Sequence, residues 1–139
     1  MKTKIKVFLF VSLLYWGNTL FSEDYVVITH SSNAIDSLSV DQLRAIMLGD
    51  VNRWQGGGAV RLAVLKWGEF HGATIRAITG RRASQFSRAW KKLIFTGQGI
   101  APREQGSVEE MLEYVAANEG SLGYVPVGQE GDAKVITID

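Results

Sequence analysis

The sequence contains no cysteine among its 139 residues, and this absence excludes several kinds of chemistry. No disulfide, thiol nucleophile or cysteine-based metal site can form, and no lipid can be attached to an N-terminal cysteine after processing. The chain has two histidines, and His71 lacks a partner at the spacing of a metal site. We therefore predict neither a metal nor another cofactor.

The sequence also lacks an apolar run long enough to span a bilayer comfortably. The apolar run at residues 7–16 has ten residues. A membrane-spanning helix needs about 20. Three lysines precede the run: Lys2, Lys4 and Lys6. Positive charges before a short apolar run are typical of a secretory signal peptide. We therefore predict a cleaved signal peptide over residues 1–22 and a mature domain over residues 23–139 in the periplasm.

The position of cleavage is left open by the sequence. Cleavage after Ser22 leaves that small residue beside the cut, but the large Leu20 lies two residues earlier. Cleavage after Thr19 would place Gly17 and Thr19 at these positions instead. An uncleaved N-terminal anchor is the alternative to both.

Acidic residues are scarce between residues 44 and 103, where 11 basic residues accompany only Asp50 and Glu69. The balance is reversed from residue 104 onward, where eight acidic residues accompany Lys134 alone. These charged residues can be interpreted in two ways. They either form solvated faces of different helices, or the basic ones create a positive field that attracts an anion or an acidic partner. Export argues against nucleic acid as that partner.

Hydrophobic periodicity predicts alternating strands and helices in one domain, without internal repeats. Tyr25–Thr29 is typical of a strand buried on both faces, as in a parallel sheet. Ser39 and Gln42 fit the capping box of a helix that ends at Gly49, and Trp54 follows as an anchor over the core. Further strands are predicted over residues 60–64, 122–127 and 134–138, and further helices over residues 73–79, 81–97 and 108–117.

Two stretches resemble the phosphate-binding proteins of ABC importers, which are type 2 periplasmic binding proteins. The first has the family's leucine and serine, a helix that ends in glycine, and a tryptophan before a glycine turn and a strand. Its matching residues are Leu38, Ser39, Asp41, Leu43, Leu48, Gly49, Trp54, Gly56 and Gly57. The second is GSLGYV at residues 120–125. The resemblance covers residues 25–139 and implies an α/β fold: a single type 2 lobe with a mostly parallel central sheet flanked by helices.

The resemblance also implies a binding site for a small oxyanion such as phosphate. Ligands of open α/β sheets gather where strands end and helices begin. Candidate ligand-binding residues at such positions are Ser31, Ser32, His71, Thr74 and Ser107. We expect the three serines to converge on one oxyanion, although Ser107 also fits a plain helix cap. Relatives usually carry serine or threonine where this chain has Gly68 and Glu69. Glu69 would repel an anion, whereas His71 would add positive charge below about pH 6.5.

The sequence therefore predicts an exported solute-binding domain that is not an enzyme and that serves an ABC importer or a sensor. His30, Ser31 and Asp36 are adjacent in sequence and lie in no nucleophile elbow, which argues against a catalytic triad. The alternative is a periplasmic protein-interaction module derived from a binding-protein lobe, with no small ligand. Because a single lobe supplies only half of a cleft, we expect a partner: a membrane transporter, a sensor or a second copy of the chain.

Overall fold

A computed structural model describes residues 24–139, so the predicted signal peptide lies outside the described residues. Within this range the chain forms six strands and four helices. The strands are β1 (Tyr25–Thr29), β2 (Ser37–Leu38), β3 (Arg61–Leu65), β4 (Arg103–Gln105), β5 (Ser121–Pro126) and β6 (Lys134–Ile138). The helices are α1 (Val40–Met47), α2 (Glu69–Thr79), α3 (Ala83–Phe95) and α4 (Val108–Ala117). No helix among them has both the length and the apolarity to cross a membrane.

The strands form one sheet in the order β2-β6-β1-β5-β3-β4. Three of the pairings are parallel, namely β2 with β6, β5 with β3, and β3 with β4. The other two are antiparallel and both involve β1. The predicted α/β lobe with a mostly parallel sheet is therefore confirmed.

Strand β1 differs from its predicted parallel arrangement because it runs antiparallel to both neighbours. Its pairing with β5 extends from Tyr25 opposite Pro126 to Thr29 opposite Leu122. Its last three residues are buried, as the apolar run predicted. This burial arises because β1 lies inside a sheet whose two faces are covered by helices, and it does not depend on the direction of the neighbouring strands.

Helix α1 and the loop after it follow the prediction. The hydroxyl of Ser39 accepts from the amide of Gln42 at 3.1 Å, and the side-chain oxygen of Gln42 accepts from the amide of Ser39 at 2.8 Å. Gly49, just beyond the helix, has a left-handed φ of 79°. Trp54 is buried, and its Nε1 donates to the carbonyl oxygen of Gly120 at 3.0 Å. The capping box and the tryptophan anchor are therefore confirmed.

Helices cover both faces of the sheet. Helix α4 packs against Gly123, where a β-carbon would lie 2.5 Å from the sulfur of Met111, so any larger residue would force Met111 to shift. The next residue, Tyr124, points to the opposite face and contacts α2. In that second layer, Nε1 of Trp90 on α3 donates to the carbonyl oxygen of Met47 on α1 at 2.9 Å. The core therefore lies in two apolar layers, one on each side of the sheet.

The strand directions decide which loops can meet. Strand β1 is antiparallel to β5, and β5 is parallel to β3, which is parallel to β4. The carboxyl end of β1 therefore lies at the opposite end of the sheet from the carboxyl ends of β3 and β4. The predicted ligand-binding residues are consequently divided between two ends of the sheet.

Candidate functional site

Two helices begin at one end of the sheet, each directly after a parallel strand. Strands β3 and β4 end in register, with Leu65 beside Gln105. Helix α2 follows β3, and helix α4 follows β4. A helix start after a strand offers unpaired N–H groups and the positive end of the helix dipole to an anion. The two helix starts differ, however, in what already occupies them.

The start of α4 is closed by its own side chains. The hydroxyl of Ser107 accepts from the amide of Glu110 at 3.1 Å, and a carboxylate oxygen of Glu110 accepts from the amide of Gly106 at 2.6 Å. A carboxylate thus already lies where an external anion would bind. Ser107 acts as a plain helix cap, and the structure gives it no further role.

The start of α2 is open. Its N-cap is Gly68, which has a φ of 103° and no side chain to bond with the first turn. The amide of Gly72 closes the turn by donating to the carbonyl of Gly68 at 3.1 Å. The N–H groups before Gly72 have no partner within the helix. Helix α2 begins at Glu69, earlier than the predicted start at residue 73, and the exposed Glu69 side chain opposes anion binding there.

His71 is buried in the first turn of α2, where it pairs with Tyr124. Its Nδ1 lies 2.5 Å from the Tyr124 hydroxyl, whose oxygen accepts from the amide of Leu65 at 3.0 Å. Burial raises the pKa of Tyr124, so the phenol keeps its proton. Because the phenol oxygen already accepts from the amide of Leu65, we assign its proton to the hydrogen bond with Nδ1. The neutral imidazole therefore carries its own proton on Nε2.

Burial also lowers the pKa of His71 below its usual value of 6.5, although the nearby carboxylate of Glu104 opposes this shift. The prediction that His71 gains positive charge below about pH 6.5 is therefore corrected, because protonation requires a lower pH. What His71 offers near neutral pH is a neutral Nε2–H donor.

His71 lines a cleft of about 410 Å³ between α2, α3 and the segment that leads into β4. We call it the α2 cleft. Lys66 and Lys91 bring positive charge to it, Ser87 brings a hydroxyl and Glu104 brings a carboxylate. The open start of α2 lies in the same cleft, since Gly68 also lines it. Backbone donors, a neutral imidazole and two lysines are thus collected at one place, with a single carboxylate among them.

Ser31 and Ser32 do not reach the α2 cleft, because they follow β1 at the other end of the sheet. The Ser32 hydroxyl lies 2.7 Å from Nδ1 of His30, within a loop held by its own hydrogen bonds. Ser31 lines a different cleft, whose acidic residues are Glu113, Glu130 and Asp132. The prediction that Ser31, Ser32 and Ser107 converge on one oxyanion is therefore wrong.

Thr74 lies one turn beyond His71 and is only 2% exposed. Its side chain does not line the α2 cleft. A ligand in the α2 cleft would therefore not contact Thr74, whose ligand-binding role stays a prediction. Among residues 24–139, no three histidine or acidic side chains are arranged to hold a metal ion.

Sequence reasoning missed Lys66, which directly follows β3, and four further residues of the site: Tyr124, Ser87, Lys91 and Glu104. Tyr124 did carry a signal, since a tyrosine inside a buried strand needs a partner for its hydroxyl. The other three come from α3 and β4. Only tertiary packing brings these elements beside α2, so no spacing in the sequence could have indicated them.

Three solved structures share this arrangement of strands and helices. One is an ABC-type phosphate transport receptor from Vibrio cholerae, with 16% identity, a TM-score of 0.56, and coverage of 83% of this chain and 46% of that one. Another, from Clostridium perfringens, is assigned as a phosphate ABC transporter substrate-binding protein and was solved with bound phosphate. Its identity is 18%, its TM-score is 0.63, and the match covers 84% of this chain and 45% of that one. The third is PstS from Borrelia burgdorferi, with 13% identity, a TM-score of 0.59, and coverage of 84% and 47%.

The chain has the fold of one lobe of these receptors. It spans about half the length of the structures it matches. No family model and no curated protein sequence matches it. The resemblance noted in the sequence is therefore confirmed at the level of the fold.

Proposed function

We propose that this protein is an exported solute-binding lobe that holds phosphate, or a similar small oxyanion, non-covalently in the α2 cleft. The observation that carries the proposal is the open start of α2, where Gly68 leaves the first-turn N–H groups uncapped beside Lys66 and the Nε2–H of His71. The fold also supports the proposal, because one of the structures with this architecture contains bound phosphate.

Each group of the cleft makes a different contribution to binding. The N–H groups and the helix dipole fix the oxyanion at the helix start, and Lys66 and Lys91 neutralise its charge. The Nε2–H of His71 donates without adding charge. The carboxylate of Glu104 can accept a hydrogen bond from a bound oxyanion only if that oxyanion carries a proton, as monohydrogen phosphate does. Sulfate carries no such proton near neutral pH, so Glu104 favours phosphate over sulfate.

We expect the affinity of the isolated chain to be low. The cleft lies open on one lobe, so a bound anion stays partly hydrated and electrostatic attraction is weakened by the high dielectric of water. Glu69 weakens binding further. An ABC importer or a sensor that covers this end of the sheet would exclude that water and complete the site.

Isothermal titration calorimetry with phosphate and sulfate at pH 6 and pH 7.5 tests the proposal. Lys66→Gln should weaken phosphate binding, and Glu69→Ser should strengthen it. Lys92→Gln is the matched control, because Lys92 is exposed on α3 and does not line the cleft. Glu104→Gln should reduce the preference for phosphate over sulfate. Absence of heat with either anion at millimolar concentration, at both pH values, would refute the function.

A protein-interaction module is the second candidate, and exposed apolar side chains favour it. Trp67 is 66% exposed and Ile94 is 43% exposed, and both line the α2 cleft. Phe95 follows at 93% and Ile100 at 90%. Light scattering at low and high salt tests the version in which a second copy binds here. Self-association that Trp67→Ser abolishes, combined with no anion binding, would favour this module over the solute-binding lobe.

A further inference from the structure

A larger cleft lies at the other end of β3, where the strand begins. It has a volume of about 740 Å³ and is formed by the loop before β3, the loop before β4 and the last turns of α4. We call it the arginine cleft, because Arg53, Arg61 and Arg103 all line it. None of these three residues lines the α2 cleft.

The strand register places the three arginines on one face. Arg53 forms an antiparallel bridge with Ala59, and Arg103 is the partner of Ala63 in the parallel pairing of β3 with β4. Ala59, Arg61 and Ala63 are alternate residues along one extended segment. Paired residues in a sheet point to the same face, and so do alternate residues of one strand. The backbone register therefore directs the three side chains towards the same cleft.

The three arginines of this cleft form no ion pair within the described part of the chain. The lining residues include no aspartate, glutamate, lysine or histidine. The ion pairs among residues 24–139 are Arg44 with Asp41 and Lys134 with Asp36, so none involves the arginine cleft. Arg61 donates to the amide oxygen of Asn118 at 3.3 Å, which leaves most of its donors available.

We propose that the arginine cleft binds a small polyanion, meaning a ligand with at least two phosphate or carboxylate groups. A guanidinium group presents a planar fork that pairs with a phosphate or carboxylate through two hydrogen bonds. Three such forks on one face exceed what a single oxyanion can satisfy. The volume of the cleft falls within the range of small-molecule binding pockets, which is roughly 300–1,000 Å³. Asn52, Gln98 and Asn118 add amide groups, and Tyr114 adds an aromatic ring, for the uncharged part of such a ligand.

This second site is distinct from the proposed function, because its three arginines lie towards the opposite end of β3 from the open start of α2, although Trp90 and Ala101 line both clefts. It also accounts for part of the uneven charge in the sequence. Three of the 11 basic residues between positions 44 and 103 line this one cleft.

Calorimetry on the mature chain with two probes, tripolyphosphate and citrate, tests the proposal and separates phosphate from carboxylate ligands. At least one probe should bind, and Arg53→Gln and Arg103→Gln should each weaken that binding about tenfold, since each removes charge-assisted hydrogen bonds. Affinity should fall as salt concentration rises. Inorganic phosphate has only one anionic group, so it should bind the arginine cleft more weakly than a probe that binds there.

Two controls make the result decisive. Arg88→Gln removes an exposed arginine of α3 that lines neither cleft, and it should leave probe binding unchanged. Lys66→Gln alters only the α2 cleft, so Arg53→Gln and Arg103→Gln should still weaken probe binding in this background. The far-ultraviolet circular dichroism and unfolding temperature of each variant, measured without a probe, show that it is folded. The proposal is overturned if neither probe binds, if Arg88→Gln weakens binding as much as the other two arginine variants do, or if Arg53→Gln and Arg103→Gln have no effect in the Lys66→Gln background.

Discussion

The hydroxyl of Tyr124 lies 2.5 Å from Nδ1 of His71, and this hydrogen bond joins strand β5 to the first turn of α2 inside the protein. The same hydroxyl oxygen accepts from the amide of Leu65, the last residue of β3. One phenol therefore connects two adjacent strands and the helix that follows one of them. This contact holds the imidazole in a single orientation and fixes its tautomer.

The first prediction concerns the pH dependence of stability. Because burial lowers the pKa of His71 in the folded protein, the unfolded chain binds its proton more tightly. As pH falls below about 6.5, the unfolded chain therefore takes up the proton first, and the folded state loses stability. The loss from this group is at most about 1.4 kcal/mol per pH unit. Above about pH 7.5 His71 is neutral in both states and contributes no pH dependence.

Urea unfolding of the wild type and of His71→Gln at pH 5.0, 6.0 and 7.5 measures this effect. The glutamine side chain can still accept from the Tyr124 hydroxyl but cannot titrate. The free energy of unfolding should fall less for the variant than for the wild type between pH 7.5 and pH 5.0. Equal pH dependence in the two proteins would contradict the lowered pKa. Nitrogen NMR of the imidazole provides a direct check of the proton on Nε2.

The second prediction concerns the anchor Trp54. Trp54→Ala should lower the free energy of unfolding by about 3–5 kcal/mol, because it removes a buried indole. Trp54→Phe keeps much of the ring but loses the hydrogen bond to Gly120, and it should cost about 1 kcal/mol for the bond. Trp67→Ala is the control and should cost less than about 1 kcal/mol, since Trp67 is 66% exposed. Chemical denaturation of the three variants measures these differences, and equal losses at Trp54 and Trp67 would disprove the anchor.

The third prediction concerns Gly120, which has a φ of 76°. A β-carbon there would lie 2.7 Å from the carbonyl oxygen of Ala59, whereas one at Gly80, with a φ of 72°, would meet nothing within 4 Å. Gly80→Ala should therefore cost about 1–2 kcal/mol for the left-handed conformation alone. Gly120→Ala should cost at least about 1 kcal/mol more, because backbone must also move. Similar unfolding free energies for the two variants would show that the contact with Ala59 relaxes freely.

The fourth prediction is export with cleavage, which rests on the lysines and the short apolar run before Ser22. N-terminal sequencing of the protein from a periplasmic extract should begin within a few residues of Glu23. Replacing Lys2, Lys4 and Lys6 by glutamate should reduce the exported amount, because it removes the positive charge that precedes the run. A full-length chain retained in the membrane fraction would instead support the uncleaved anchor.

Local features of the sequence predicted local structure well. The cap at Ser39, the stop at Gly49 and the strand at Tyr25–Thr29 each depend on neighbouring residues, and each is found as predicted. Strand β4 was missed because Arg103-Glu104-Gln105 is short and polar and shows no apolar alternation. The early start of α2 was missed because a glycine before Glu69 was interpreted as a loop rather than as an N-cap.

The candidate site was predicted only in part, for a physical reason. His71 could be placed near a helix start from its sequence neighbours. The direction of β1 relative to β3 depends on pairings between distant parts of the chain, such as Thr29 with Leu122. That direction decides that Ser31 and Ser32 lie far from His71, and no local pattern encodes it. The arginine cleft likewise depends on the register of three chain segments.

The place of β1 in the sheet also constrains how the protein can be made. Both of its partners, β5 and β6, come from residues 121–138, and the Thr29 hydroxyl bonds to a residue 92 positions later. A nascent chain must therefore carry an unpaired apolar strand until residues 121–138 have been synthesised. Closing so long a loop is also slow, because its entropic cost precedes any gain from pairing. Translation of the last two strands thus sets the earliest moment at which the sheet can close, and a chain that stops before residue 121 leaves β1 without either neighbour.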